Sequence, residues 1–120
     1  MSDPQVTLKF SSNTLKDINF EVISLGKFIL ETNSLEKLHL EKCTFDVFEI
    51  VGKGRLRHLE IEDVRVNNLY IHESAENLEV VDVSNFTIKW AEFYHMISRS
   101  SKLRTIRLWG VMCDTWGRGC

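Results

Sequence analysis

The chain has one proline, Pro4, and only six glycines in 120 residues. That scarcity excludes a proline-rich recognition tract, a collagen-like repeat and a glycine-rich linker. Cysteine is scarce too. Cys43, Cys113 and Cys120 are odd in number and show no tight pairing, so no disulfide framework is expected. No C-x-x-C or H-x-x-x-H spacing marks a metal site. Free thiols predict a reducing, cytoplasmic or nuclear setting. Charge of one sign is lacking as well, the formal net charge being −2. A nucleic-acid or polybasic membrane partner calls for a basic excess that is not there. No apolar run approaches the ~20 residues of a membrane-spanning helix. The opening Met1-Ser2-Asp3-Pro4-Gln5 has neither the basic nor the apolar stretch of a secretory signal.

Catalytic signatures are missing. There is no G-x-S-x-G, no G-x-x-x-x-G-K-[ST] and no H-E-x-x-H. Val51-Gly52-Lys53-Gly54-Arg55 has the wrong spacing for a phosphate loop and reads as a turn. Ser100, Ser101 and the four histidines, His39, His58, His72 and His95, have no evident third partner. The expectation is a non-enzyme without cofactor or metal.

What is present is a repeat. Leu35-x-x-Leu38-x-Leu40-x-x-Cys43-x-Phe45 is followed in register by Leu56-x-x-Leu59-x-Ile61-x-x-Val64-x-Val66. The same six-point pattern begins at Leu15, Leu78 and Leu103. This is the leucine-rich-repeat template, with steps of 20, 21, 22 and 25 residues. Each L-x-x-L-x-L core predicts a short parallel strand whose alternate residues point inward. Crossovers this short make the array curl as a solenoid instead of forming a doubly wound sheet.

The crossovers carry Leu8-x-Phe10, Phe28-x-Leu30, Phe48-x-Ile50 and Leu69-x-Ile71. Period two there admits a second extended segment on the convex side, or an irregular loop with buried anchors. The last crossover differs. Trp90, Phe93, Met96 and Ile97 share one face of a helix over 89–99, with Asn85 or Thr87 as its cap and Ser98-Arg99-Ser100-Ser101 as its stop. The fold expected is therefore an α/β repeat solenoid with parallel concave strands, mostly extended convex segments and one convex helix. The domain division is a tail over 1–7, five repeats over 8–113 and a tail over 114–120. Both ends look uncapped, which predicts self-association or a fragment of a longer array.

Register also places the outward residues of the concave strands in columns. Asp17, Lys37, His58, Val80 and Thr105 form the first. Asn19, His39, Glu60, Asp82 and Arg107 form the second, and Glu21, Glu41, Glu62, Ser84 and Trp109 the third. Three glutamates on adjacent strands, roughly 4.8 Å apart, repel one another. Either solvent and nearby Lys16, Lys42 or Arg57 compensate them, or they serve binding. On the second reading Asp17, Glu21, Glu41, Glu60, Glu62 and Asp82 form an acidic face for a basic protein partner. His39, His58, Arg107 and Trp109 lie beside it, Trp109 as an aromatic anchor. Calcium is a rival ligand, but strand-borne glutamates lack the loop carbonyls that calcium sites add.

The segments SLEKLHLEKCTFDVFEI, RLRHLEIEDVRVNNLYI, NLEVVDVSNFTI and KLRTIRLWGV resemble the repeats of F-box proteins with leucine-rich repeats, of the short irregular kind found in plants and nematodes. Cys43 sits where that family often has cysteine. The resemblance covers about residues 8–113. It implies a repeat domain that selects a substrate for a cullin ubiquitin ligase, while a separate F-box recruits the Skp adaptor. That helical module is absent from this sequence, so the resemblance carries over only the recognition role.

Overall fold

A strand puts alternate residues on opposite faces, and the five apolar–polar segments use that period. In the computed structural model, which describes residues 6–52, 55–71 and 76–113, they lie side by side as one parallel ladder. Its members are β2 (Asp17–Glu21), β4 (Lys37–Glu41) and the first halves of β6 (His58–Tyr70), β7 (Val80–Ile88) and β8 (Thr105–Cys113). Ile18, Leu38, Leu59, Val81 and Ile106 share one row, as do Phe20, Leu40, Ile61, Val83 and Leu108.

A second ladder runs behind the first. It joins β1 (Thr7–Ser12), β3 (Ser24–Thr32), β5 (Thr44–Val51) and the second half of β6. Leu8, Phe28, Phe48 and Leu69 are aligned, and so are Phe10, Leu30 and Ile50. Of the two readings open for the crossovers, the extended segment is therefore the one realised. The inner faces of both ladders supply one apolar core. Phe10, Phe20, Phe28, Phe45 and Phe48 meet within it ring to ring, with centroids 4.9–6.2 Å apart. The chain thus makes about five rungs of a parallel solenoid.

The chain turns from one arm to the other through a recurrent left-handed residue. Val22, Lys42, Asp63 and Asn85 have φ of 52–56°, and Gly110 has φ 69°. All five follow the last outward residue of a concave strand. Asp, Asn and Gly tolerate that conformation, whereas for Val22 it is strained. Backbone bonds hold the corners across rungs: Val22 N–H donates to Glu41 O and Lys42 N–H to Glu62 O, each at 2.9 Å. Asn85 Nδ2 donates to Asp63 Oδ1 at 2.9 Å, and a Cβ at Gly110 would meet Asn85 Oδ1 at 2.7 Å. At the opposite corner Ser12 and Thr32 hydroxyls accept from backbone N–H groups two and three residues on. Gly52 lies in that corner one rung further, where an added Cβ would sit 1.8 Å from Thr32 O.

The expected helix is α1 (Trp90–Ser98), with Phe93 and Met96 buried and Ile97 packed against the core. The side chain of Trp90 lies outside the described residues. The cap differs from expectation. Thr87 still belongs to β7 and Asn85 is a corner residue, so the N-cap falls to Lys89, whose side chain makes no capping bond. Glu92 does something the sequence did not announce. Its carboxylate accepts the Leu69 N–H, an amide that the second ladder has no further strand to satisfy.

The outer rungs are less covered than the inner ones. Ile106 and Leu108 are 45% and 47% exposed, while their row-mates in β4, β6 and β7 are buried. No helix among the described residues is long and apolar enough to cross a membrane. Residues 1–5 and 114–120 of the two expected tails, His72, and Lys53-Gly54 of the expected turn lie outside the described residues.

Candidate recognition surface

The three outward columns exist in the register expected. Asp17 pairs with Lys37, Lys37 with His58, His58 with Val80 and Val80 with Thr105. The same pairings carry Asn19, His39, Glu60, Asp82 and Arg107, then Glu21, Glu41, Glu62, Ser84 and Trp109. All ten candidate residues therefore lie on one face, spread from β2 to β8.

Their electrostatics are uneven. Glu60 has two partners, Lys37 Nζ at 3.7 Å and His58 Nε2 at 3.0 Å. Arg107 Nη1 lies 3.4 Å from Asp82 Oδ2. His39 Nε2 lies 3.5 Å from Glu62 Oε2, an ion pair whenever the imidazole is protonated. Among the described residues Asp17, Glu21 and Glu41 have no ion-pair partner. The expected counter-charge of Arg57 goes elsewhere: its guanidinium reaches Glu36 at 3.3 Å and Glu79 at 4.0 Å, at the opposite end of the strands from the glutamates. Lys16 and Lys42 make no ion pair among the described residues either. Trp109 ends the glutamate column on β8, 75% exposed.

A further column escaped the sequence reading. Lys16, Glu36, Arg57, Glu79 and Arg104 stand one residue before the first column. They are linked rung to rung by bonds such as Glu36 N–H to Lys16 O at 2.8 Å and Arg57 N–H to Glu36 O at 2.9 Å. Their signs alternate without exception. With Asp17, Lys37, His58 and Val80 they line an open groove of about 520 Å³. The alternation is legible in the sequence, one position N-terminal to the first column.

Two smaller features complete the face. His39, Glu41 and Glu62 each offer a ligand atom within 4.8 Å of the others. Cys43 lies beneath, buried, with Sγ 3.3 Å from Glu41 O and 3.7 Å from Phe20 O. Burial pushes its thiol up, with Glu21 and Glu41 adding to the shift and backbone bonds opposing it. A thiol so protected is a poor nucleophile.

Parallel rungs, an apolar core between two ladders and a concave face of variable polar residues define a short leucine-rich-repeat solenoid. Comparison with known proteins points the same way. The chain is 54% identical over 114 residues to the F-box/LRR-repeat protein At1g67190 of Arabidopsis thaliana, an alignment covering 95% of this chain and 27% of that protein. It is 29% identical over 111 residues to the BTB/POZ domain-containing protein FBL11 of the same plant, covering 84% of this chain and 12% of that one. The chain is thus similar to a leucine-rich-repeat segment of an F-box/LRR-repeat protein, and spans about a quarter of that relative's length. No family model and no solved structure matches it.

Proposed function

We propose that this segment recognises protein partners through its concave face, as the substrate-selecting part of an F-box-type component of a ubiquitin ligase. The observation that carries the reading is the third column. Glu21 and Glu41 have no counter-ion among the described residues, and Trp109 stands exposed at the end of their column. A fold that leaves carboxylates uncompensated on a curved face attracts cationic ligands, an attraction that salt weakens. The partner surface is accordingly basic, with Asp17, Glu60 and Asp82 broadening the acidic field and His39, His58 and Arg107 adding contacts. The F-box relative's name and the repeat register support the substrate-selecting role. We place the segment in the cytoplasm or nucleus, in keeping with the buried free thiol of Cys43.

The test compares the wild-type chain with the triple variant Glu21→Gln, Glu41→Gln, Glu62→Gln. Binding of a Lys/Arg-rich peptide is titrated at low and high salt, with chelator present. The wild-type chain binds in a salt-sensitive way. The variant binds weakly, with a flat salt dependence, and is at least as stable because the repulsion is gone. Unchanged binding with lower stability would make the carboxylates structural. A second reading, assembly of copies through uncovered ends, is favoured by the exposed apolar side chains of Ile106 and Leu108. Sedimentation of the same samples at two concentrations separates the two readings, because assembly follows concentration and is indifferent to the glutamates.

A further inference from the structure

We propose that His39, Glu41 and Glu62 form a binding site for a divalent transition-metal ion of the zinc class. Two neighbouring strands supply the three residues. Glu41 and Glu62 face each other directly in the pairing of β4 with β6, and His39 lies two residues before Glu41 on the same face. One ligand atom from each lies within 4.8 Å of the other two. Four-coordinate zinc, with bonds of about 2.0–2.2 Å, needs ligand atoms roughly 3.3 Å apart. His39 Nε2 and Glu62 Oε2, 3.5 Å apart, already stand close to that spacing, and the Glu62 side chain is 52% exposed.

Two observations set this trio apart from ordinary acidic surface. Its donors are mixed, an imidazole nitrogen with two carboxylates, which is a metal-ligand set. The second observation concerns His39 itself. Its side chain is only 20% exposed, and Nε2 is shut off from solvent with no hydrogen-bond partner, although Glu62 Oε2 lies 3.5 Å away. A buried, unsatisfied ring nitrogen costs free energy, and so do carboxylates stacked directly across a pair of strands. A cation between them relieves both costs at once. The chemistry of the donors selects the ion. Cys43 Sγ turns to backbone carbonyls, so no thiolate draws copper(I), and three donors are too few for calcium, which takes six to eight oxygens. The fourth position stays open to water or to a partner's side chain.

This inference goes beyond the recognition reading and can fail without it. Zinc chloride is titrated calorimetrically into the full chain after chelator treatment, with no other protein present. One ion binds per chain, EDTA removes it, and the melting temperature rises with zinc. His39→Gln and Glu62→Gln each weaken binding by about tenfold or more. Calcium chloride gives no comparable heat. Circular dichroism confirms that the variants fold, and the exposed Glu62 position keeps the test valid should His39→Gln unfold. The proposal is overturned if zinc gives no saturable heat, as for a simple imidazolium–carboxylate pair. It is equally overturned if the folded variants bind zinc as the wild type does, since the ion would then sit elsewhere.

Discussion

Two columns at opposite ends of the same concave strands solve one electrostatic problem in opposite ways. Lys16, Glu36, Arg57, Glu79 and Arg104 alternate in sign, and each step from rung to rung brings unlike charges together. Arg57 reaches both Glu36 and Glu79, and Arg104 Nε lies 3.5 Å from Glu79 Oε1. Glu21, Glu41 and Glu62 occupy the other end of these strands, and there the same steps stack like charges. The alternating column is paired within the fold from Glu36 to Arg104. In the glutamate column His39 reaches Glu62, and Glu21 and Glu41 are left to something outside the fold, whether a basic partner, a metal ion or solvent. A net charge of −2 conceals this, because composition counts charges and register decides which of them meet.

The comparison can be broken at its common base. Leu59 is buried beneath both columns, in the row shared by Leu38 and Val81. Leu59→Ala should cost about 2–5 kcal/mol in denaturant unfolding, the range for truncating a buried leucine. A loss near zero would mean that the strands are registered differently. A gentler change converts one column into the other. Arg57→Glu places three acids in succession at 36, 57 and 79 and removes the ion pairs that Arg57 makes. These groups are partly exposed, so the expected loss is only about 0.5–2 kcal/mol, shrinking as salt is added. A loss that ignored salt would show that Arg57 acts by packing. The smallest effect runs in reverse. Glu41→Lys gives the glutamate column alternating signs and should raise stability by about 0.2–1 kcal/mol at low salt. A fall in stability would reveal a compensating interaction of Glu41.

Leu38, Leu40, Leu59 and Ile61 could be assigned inward, and His39, Glu60 and Glu62 outward, because period two and a repeat of near-constant length leave little choice of register. The helix was legible for a similar reason: Phe93 and Met96 fall on one face. Its cap was not, since Asn85 is as good a residue for a left-handed corner as for an N-cap, and tertiary context made the choice. The corners themselves were hidden. Val22 and Lys42 hold the same conformation as Gly110, so no residue type marks the position. The ligand trio was hidden by its spacing. His39 and Glu62 stand a full rung apart in the chain, and short metal motifs search only within one element. Glu92 was invisible in another way, as its partner is a backbone amide that becomes available only where a ladder stops.

The uncovered apolar side chains of the last rung bear on how the molecule melts. A solenoid is close to a one-dimensional lattice, in which each rung is held only by its nearest neighbours. An inner rung shares two interfaces and an outer rung one. Among the described residues Ile106 and Leu108 mark the less covered rung of that lattice, and Leu59 and Val81 its buried middle. Loss of structure should travel inward as a front and not strike everywhere together. Amide protons of β8 and β1 should exchange before those of β4 and β6, in an order set by position along the axis and not by the burial of any single residue.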